Sequence, residues 1–132
     1  MTRDEFDVYL KKFNGRDYNG FLEYFAEDNK FELTHVGGTF KTRESILKFY
    51  DFLHAYIKES VHIDRFVSDE NNVILEATVR IEGVKKLSDD KVAASEWPKL
   101  NPLAVGQVVE IPQFIHYHIE NGKFVKVVCA EL

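Results

Sequence analysis

The sequence has little cysteine and no long apolar run, and each scarcity excludes a class of protein. Cys129 is the single cysteine, so an intramolecular disulfide framework is excluded and a reducing compartment is indicated. No apolar stretch approaches the roughly 20 residues that a membrane-spanning helix needs. The charged N-terminal segment predicts no signal peptide. We therefore expect a cytoplasmic protein with no membrane partner.

Positive charge is also scarce. The 132 residues include 17 Lys and Arg against 22 Asp and Glu, which gives a net charge of −5. Nucleic-acid binders normally carry a basic balance, so this sign argues against a nucleic-acid partner. The length predicts one domain over residues 1–132. Aromatic residues make up 14% of the chain, and such side chains line both cores and pockets for apolar ligands.

The N-terminal half has the caps and the apolar spacing of helices. Thr2 and Glu5 have the spacing of a capping box, and an apolar stripe at helical spacing follows them as far as Asn14. We predict helices capped by Thr2, Asp17 and Thr42, with a short strand over 30–34 and a loop over 35–39 before the third helix. The third is the longest, and its predicted apolar face extends to Ile57.

After Ser60 the apolar period changes to two, which is typical of strands. We predict strands over 61–68, 73–84, 105–119 and 124–129, with an excursion over 85–103 that is too long for a hairpin turn. Pro112 inside the third of these strands indicates an edge or a bulge. The element order predicts an α+β fold, with helices on one face of a curved, mainly antiparallel sheet.

Three sequence strings, in their order and spacing, resemble a known superfamily. They are YLKKFNGRDYNGFLEYFAED, TRESILKFY and YHIENGKFVKV. They resemble the nuclear-transport-factor-2-like proteins, in particular the SnoaL-like and ketosteroid-isomerase-like members, over nearly the whole chain. The resemblance implies a cone-shaped fold with a pocket at one end and a homodimer formed through the outer sheet face. Similar proteins isomerise, dehydrate, cyclise, open epoxides or only bind partners, so the fold alone names no reaction.

Of the three catalytic positions of steroid isomerases, this sequence has the matching residue at one. Tyr9 falls where those enzymes have their oxyanion-stabilising tyrosine. Leu33 and Ile115 fall where they have their two acids. We therefore do not expect steroid-isomerase chemistry as it is known in that family, and a different catalytic set in the same pocket stays open.

Five residues are candidate catalytic groups. His35 follows the first strand near the expected pocket mouth, where a histidine can take and return a proton; otherwise it is a loop histidine in water. Tyr9 and Tyr117 can donate a hydrogen bond to a substrate oxygen; otherwise they fill the core. His62 and Asp64 share a strand face. If that face is inward, they are a candidate catalytic base, with Asp64 orienting or charging His62. If it is outward, they are solvated or lie at a dimer interface.

Strand alternation predicts a mainly apolar pocket wall. The residues expected to contact a ligand are Leu33, Leu75, Ala77, Val79, Gln113, Ile115 and Trp97. His116 and His118 form an H-x-H pair without a further ligand in reach, so we predict no metal site. Cys129 among valines is typical of a core, and Glu131 is a weaker pocket candidate. No sequence pattern indicates a cofactor.

These observations favour a cofactor-independent isomerase, dehydratase or cyclase. It would act by proton transfer on a small apolar compound that carries carbonyl and hydroxyl groups. Two alternatives stay open: a noncatalytic module that binds a small ligand in the same pocket, and a protein-interaction domain. An inward His35 with an orienting partner distinguishes the enzyme from the binding module. A filled pocket with an exposed apolar patch would indicate the interaction domain.

Overall fold

The computed structural model describes residues 1–97 and 100–132, and its elements follow the predicted order with additions. The helices are α1 (Arg3–Asn14), α2 (Tyr18–Leu22), α3 (Arg43–His54) and α4 (Asp89–Ala94), and the strands are β1 (Glu32–His35), β2 (Gly38–Phe40), β3 (Ile57–Ser68), β4 (Asn72–Gly83), β5 (Val108–Glu120) and β6 (Lys123–Glu131). The predicted loop over 35–39 is a tight β1–β2 hairpin, and α4 lies in the predicted excursion. Pro98 and Lys99 of that excursion lie outside the described residues.

The strands form one curved, unclosed sheet in the order β2-β1-β6-β5-β4-β3. The β1–β6 pair is parallel and the other pairs are antiparallel. The predicted α+β architecture is confirmed. A bulge between His118 and Ile119 shifts the β5–β6 register, so that Phe124 is buried beside Ile119. Strict alternation backwards from Val127 would predict an inward Val125, but the bulge leaves Val125 unpaired and gives the inward position to Phe124.

Helix α1 forms where the sequence places a complete capping box. The Thr2 hydroxyl accepts from the Glu5 amide at 3.2 Å, and the Glu5 carboxylate accepts from the Thr2 amide at 2.9 Å. The face that follows, Phe6, Tyr9 and Leu10, is buried against the concave side of the sheet. These positions recur at helical spacing, so one stripe of α1 covers the core.

Helix α3 ends three residues before the predicted helical face does. It stops at His54, and β3 begins at Ile57, four residues before the predicted strand start. Ile57 lies four residues after Leu53 and so fits a helical stripe, but with Val61 and Ile63 it also fits the alternation of a strand. The connection between α3 and β3 is therefore only two residues long, and the first residues of β3 lie beside the last turn of α3.

Of the expected edge or bulge at Pro112, the structure shows no bulge, because Pro112 lies in β5 without breaking the β4–β5 register. It pairs with Thr78 in a continuous β4–β5 ladder. Its carbonyl accepts from the Leu132 amide at 3.0 Å, on the β6 side. In an antiparallel strand the amide and carbonyl of one residue point the same way, so the position without an N–H lies where β6 ends.

Aromatic rings hold the helices on the sheet. The fully buried Phe6 ring lies 5.1 Å from Tyr117, 5.3 Å from Tyr9 and 5.8 Å from Phe66, measured between centroids. Such tilted and edge-to-face contacts add to the free energy of simple burial. No helix in the described ranges, 1–97 and 100–132, is long and apolar enough to cross a membrane.

Replacement of the central ring tests this packing. We expect Phe6→Ala to lower the free energy of unfolding by about 3–5 kcal/mol, because it removes a fully buried ring and leaves a cavity. Val8→Ala on the same helix is the control, since Val8 is exposed, and its effect should stay within about 0.5 kcal/mol. Urea unfolding measures both. Equal effects of the two variants would contradict the assigned core.

Candidate active site

A cavity of about 390 Å³ lies between the helices and the concave face of the sheet. Leu33, Val79 and Ile115 contribute to its apolar wall. The polar or titratable side chains that reach this wall are Tyr9, His35, Tyr50, Glu59, Asn101, Gln107, Gln113, Tyr117, Cys129 and Glu131. In the part of the chain that the structure describes, the lining includes two carboxylates and no Lys or Arg. The cavity therefore suits a ligand without negative charge.

A buried hydrogen-bonded chain ends at the carboxylate of Glu59. The Tyr18 hydroxyl lies 2.9 Å from His54 Nδ1, and His54 Nε2 lies 2.8 Å from Glu59 Oε1. The His54 side chain is 3% exposed and that of Glu59 is 13% exposed. The His54 Nε2–H donates to the Glu59 carboxylate, and Nδ1 is paired with the Tyr18 hydroxyl. Every polar ring atom of His54 is then paired, as burial requires.

Arg16 holds the junction between α3 and β3, next to which His54 and Glu59 lie. Its guanidinium donates to the His54 carbonyl at 3.1 Å and to the Ile57 carbonyl at 2.7 Å. These carbonyls lie at the end of α3 and the start of β3. Arg16 itself has φ +59°, so it makes the left-handed turn that ends α1. Tyr18 begins α2 two residues later, which places both contacts to His54 on one short segment.

The charge of Glu59 raises the pKa of other groups that line the cavity. Burial raises the pKa of Tyr50 well above its usual value, and the Glu59 charge adds to this rise. Burial raises the pKa of Cys129 to about 12, again with a smaller contribution from Glu59. A thiol with this pKa stays protonated at neutral pH and is a poor nucleophile. Cys129 is therefore a wall residue, as its sequence context predicts.

Tyr9 and Tyr117 form a hydroxyl pair on the cavity wall. Their ring centroids are 5.8 Å apart, and both rings are buried. Burial raises the pKa of both phenols. The two hydroxyls also affect each other's pKa, which indicates that they lie near one another. A phenol O–H on this wall can donate to a ligand oxygen.

His35 lines the cavity at the end of β1. Its Nδ1 accepts the Gly37 amide proton at 2.9 Å, so the neutral ring carries its own proton on Nε2. Nε2 is buried without a hydrogen-bond partner among the described residues. Leaving a buried N–H unpaired costs about 1–3 kcal/mol. Burial lowers the pKa of His35 to about 4, against a smaller opposing contribution from Glu59.

This geometry changes the predicted role of His35. The lone pair that a general base needs is on Nδ1, and the Gly37 amide already occupies it. At neutral pH the ring is therefore a hydrogen-bond donor through Nε2 rather than a proton acceptor. The expectation that His35 faces the pocket agrees with the structure, whereas the role of base does not fit it.

His62 and Asp64 lie outside the cavity. Their side chains are 81% and 45% exposed and 3.7 Å apart. Inward positions on β3 belong to Val61 and Ile63, so His62 points outward, and Asp64 sits in the bulge between Ile63 and Arg65. The predicted catalytic pair is therefore wrong for this cavity, and the outward alternative applies.

The predicted ligand contacts divide into two groups. Leu33, Val79, Gln113 and Ile115 line the cavity. Within the described residues, Leu75, Ala77 and Trp97 are not part of its wall. Leu75 and Ala77 are fully buried in the core, and the Trp97 ring packs on Phe49 and Phe52 at 5.1 and 5.3 Å. These three expectations are corrected: the alternation identified the inward face but not how far the cavity extends along it.

His54 and Glu59 are candidate site residues that sequence reasoning missed. The signal was present as Ile57, Glu59, Val61 and Ile63, which alternate as one inward strand face interrupted by one acid. Assigning Ile57 to the helix concealed this strand pattern.

The histidine pair on β5 makes other contacts. His116 and His118 stack with ring centroids 4.0 Å apart, and His116 Nε2 lies 2.8 Å from the Asn72 amide oxygen. No group of three or more metal-ligating side chains occurs in residues 1–97 and 100–132.

The buried His35 predicts a pH dependence of stability. Its folded pKa of about 4 lies below the ordinary value of 6.5, so the unfolded chain takes up the proton first as pH falls. Stability contributed by the neutral ring is present above the ordinary value and is lost as pH falls from there towards about 4. The loss should reach about 3 kcal/mol.

Comparison with His35→Phe isolates this loss from other titrating groups. Urea unfolding at about pH 7 and about pH 4 should show a larger decrease for the unsubstituted protein than for His35→Phe. Parallel decreases in the two proteins would show that His35 is protonated equally in the folded and unfolded states.

Solved structures share this architecture at low sequence identity. An NTF2-like protein of unknown function from Burkholderia pseudomallei has a TM-score of 0.72 at 17% identity, with 100% of this chain and 92% of that chain covered. A protein with a ketosteroid-isomerase-like fold from Catenulispora acidiphila, in complex with trimethylamine, has a TM-score of 0.68 at 15% identity, with coverages of 98% and 85%. An LEH-like epoxide hydrolase from M. tuberculosis has a TM-score of 0.66 at 11% identity, with coverages of 96% and 78%.

These similarities establish the fold and leave the reaction open, because all are below the identity at which activity transfers. No curated protein matches the sequence. The family model described as SnoaL-like domain matches residues 7–127, which is most of the chain. The predicted resemblance is confirmed, and the chain belongs to the SnoaL-like domain family, with a nuclear-transport-factor-2-like fold.

Proposed function

We propose that the protein is a cofactor-independent enzyme that moves a proton on a small apolar carbonyl compound, with Glu59 as the base. The observation that carries the proposal is the Tyr18–His54–Glu59 chain, which ends at a carboxylate on the wall of an apolar cavity. A carboxylate is a suitable base for a carbon acid when a dry site holds it beside the substrate.

The reaction class is isomerisation, dehydration or cyclisation. Glu59 takes a proton from the carbon next to the carbonyl, and the electron pair moves to the carbonyl oxygen as an enolate. The Tyr9 hydroxyl donates to the oxygen that gains charge. The proton then returns to a different carbon, or a hydroxyl group leaves with it as water. His54 and Tyr18 position the carboxylate and contact no substrate.

A noncatalytic module that binds a small ligand is the second candidate. It is favoured by the lining, whose described residues carry carboxylates among aromatic rings and no positive charge. Such a cavity suits a small amine, and the structural neighbour from Catenulispora acidiphila holds trimethylamine. A binding module has no need for the His54–Glu59 bond to hold one carboxylate orientation, and this favours the enzyme.

Assembly and location belong to the same proposal. We infer a homodimer through the outer sheet face, where Ile74, Val108 and Phe114 are exposed on neighbouring strands. We also infer the cytoplasm as the location, because the single thiol of Cys129 suits a reducing compartment.

Exchange of substrate hydrogens with solvent tests the role of Glu59. Three apolar ketones, α-tetralone, 1-indanone and cyclohex-2-enone, are incubated with the protein in D₂O, and deuterium at the carbon next to the carbonyl is followed by NMR. We expect Glu59→Gln to slow exchange by roughly 10²–10⁴-fold, because the amide cannot accept the proton. Glu110→Gln, the same substitution on the exposed outer face of β5, should exchange at the unsubstituted rate.

Two results would count against this function. One is exchange by Glu59→Gln at the rate of the unsubstituted protein. The other is no exchange of any of the three ketones by the unsubstituted protein together with tight binding of trimethylamine, which would favour the binding module.

A further inference from the structure

His35 is held in one tautomer by its own turn. The Gly37 amide donates to Nδ1 across the β1–β2 hairpin, two residues from the ring it fixes. A Cβ at Gly37 would lie 2.5 Å from Phe49 Cε1 and 2.9 Å from His35 Cε1, so only glycine permits this approach. The ring is therefore confined between its hairpin and α3, with a defined donor at Nε2.

No acceptor among residues 1–97 and 100–132 pairs with this donor. Phe40 and Phe49 pack on it with centroids at 5.1 and 4.8 Å, and Tyr50 lies at 6.0 Å. Nε2 is buried and unpartnered among the described residues, although the side chain borders the cavity. Buried donors in folded proteins are almost always paired. Nε2 itself is covered in this structure, so an acceptor atom from the cavity side would complete it after a small movement of the rings beside it.

The sheet register places His35 on the wall of the same cavity as Cys129. Thr34 pairs with Val128 in the parallel β1–β6 ladder, so His35 follows at the level of Cys129. His35, Cys129 and the Glu59 side chain all line the same cavity. A donor and a carboxylate that face one ligand can hold an oxygen and the carbon next to it at the same time.

We propose that His35 Nε2 donates a hydrogen bond to an uncharged acceptor oxygen of the ligand, and that the ligands of this cavity are neutral ketones or related carbonyl compounds. The assignment of substrate class rests on the proposed function, but the hydrogen bond itself does not. His35 then acts as a neutral donor that polarises the carbonyl while Glu59 removes the adjacent proton. Tyr9 donates to the same oxygen as it gains charge, or to a second oxygen of the ligand.

A matched pair of probes tests the hydrogen bond. α-Tetralone and tetralin share a bicyclic skeleton and differ by the carbonyl oxygen. We expect the unsubstituted protein to bind α-tetralone roughly tenfold more tightly relative to tetralin than His35→Phe does, as one hydrogen bond to a buried donor would give. His35→Gln, which keeps an N–H donor, should recover part of this preference, and thermal melting checks that both variants fold.

NMR of the histidine ring provides a readout that needs no variant. The ¹⁵N signals should show the proton on Nε2 in the free protein, and α-tetralone should shift the Nε2–H signal downfield whereas tetralin should not. A proton on Nδ1, or equal effects of the two probes, would overturn the proposal. So would a failure of the unsubstituted protein to bind α-tetralone.

Glu59→Gln separates this inference from the proposed function. The variant should keep the preference for α-tetralone over tetralin even though it loses deuterium exchange. Retained preference with unchanged exchange would reject Glu59 as base and leave the His35 hydrogen bond standing. Lost preference in His35→Phe, with normal exchange in that variant, would leave Glu59 as the base and reject the polarising role of His35.

Discussion

The hydrogen bond between His54 and Glu59 is the interaction on which the site depends. A carboxylate on the wall of an apolar cavity has lost most of its hydration, and it stays there only if fixed donors replace the water. His54 supplies one donor, and the Tyr18 hydroxyl pairs with the other nitrogen of the ring. Since Arg16 fastens the carbonyls on either side of the junction, a disturbance of this turn would move both partners.

Much of the fold could be predicted, because local signals agree with it. The capping box at Thr2 and the helix cap at Thr42 begin helices where the structure begins them, and period-two alternation identifies β4. The junction between α3 and β3 could not be resolved, because Ile57 satisfies both periods. Burial decides the matter in the folded chain: in β3 the side chain of Ile57 is 3% exposed and pairs across from Gly83.

The site was less predictable than the fold, because face and depth are tertiary properties. Alternation assigned Tyr117 and Gln113 correctly to the inward face, yet it carries no information on how far the helices fill the concave side. Leu75 shares the inward face with Val79 but lies where aromatic rings close the core. His62 shows the converse: its proximity to Asp64 is real, but the pair faces outward, so spacing alone did not indicate a site.

The position of Glu59 bears on why Leu33 and Ile115 are apolar in this protein. The resemblance to steroid isomerases puts acids at those two positions, on β1 and β5, whereas here the cavity receives its buried carboxylate from β3. A carbon acid inside a cavity can be approached from any wall, because what the chemistry needs is a base and a donor on one ligand. With Glu59 as the proposed base on β3, the carbonyl group of a ligand would point towards β1 and α1, where His35 and Tyr9 are the proposed donors. On this proposal the same fold keeps a proton-transfer chemistry while the base moves to another strand, and the ligand is turned within the cavity to match.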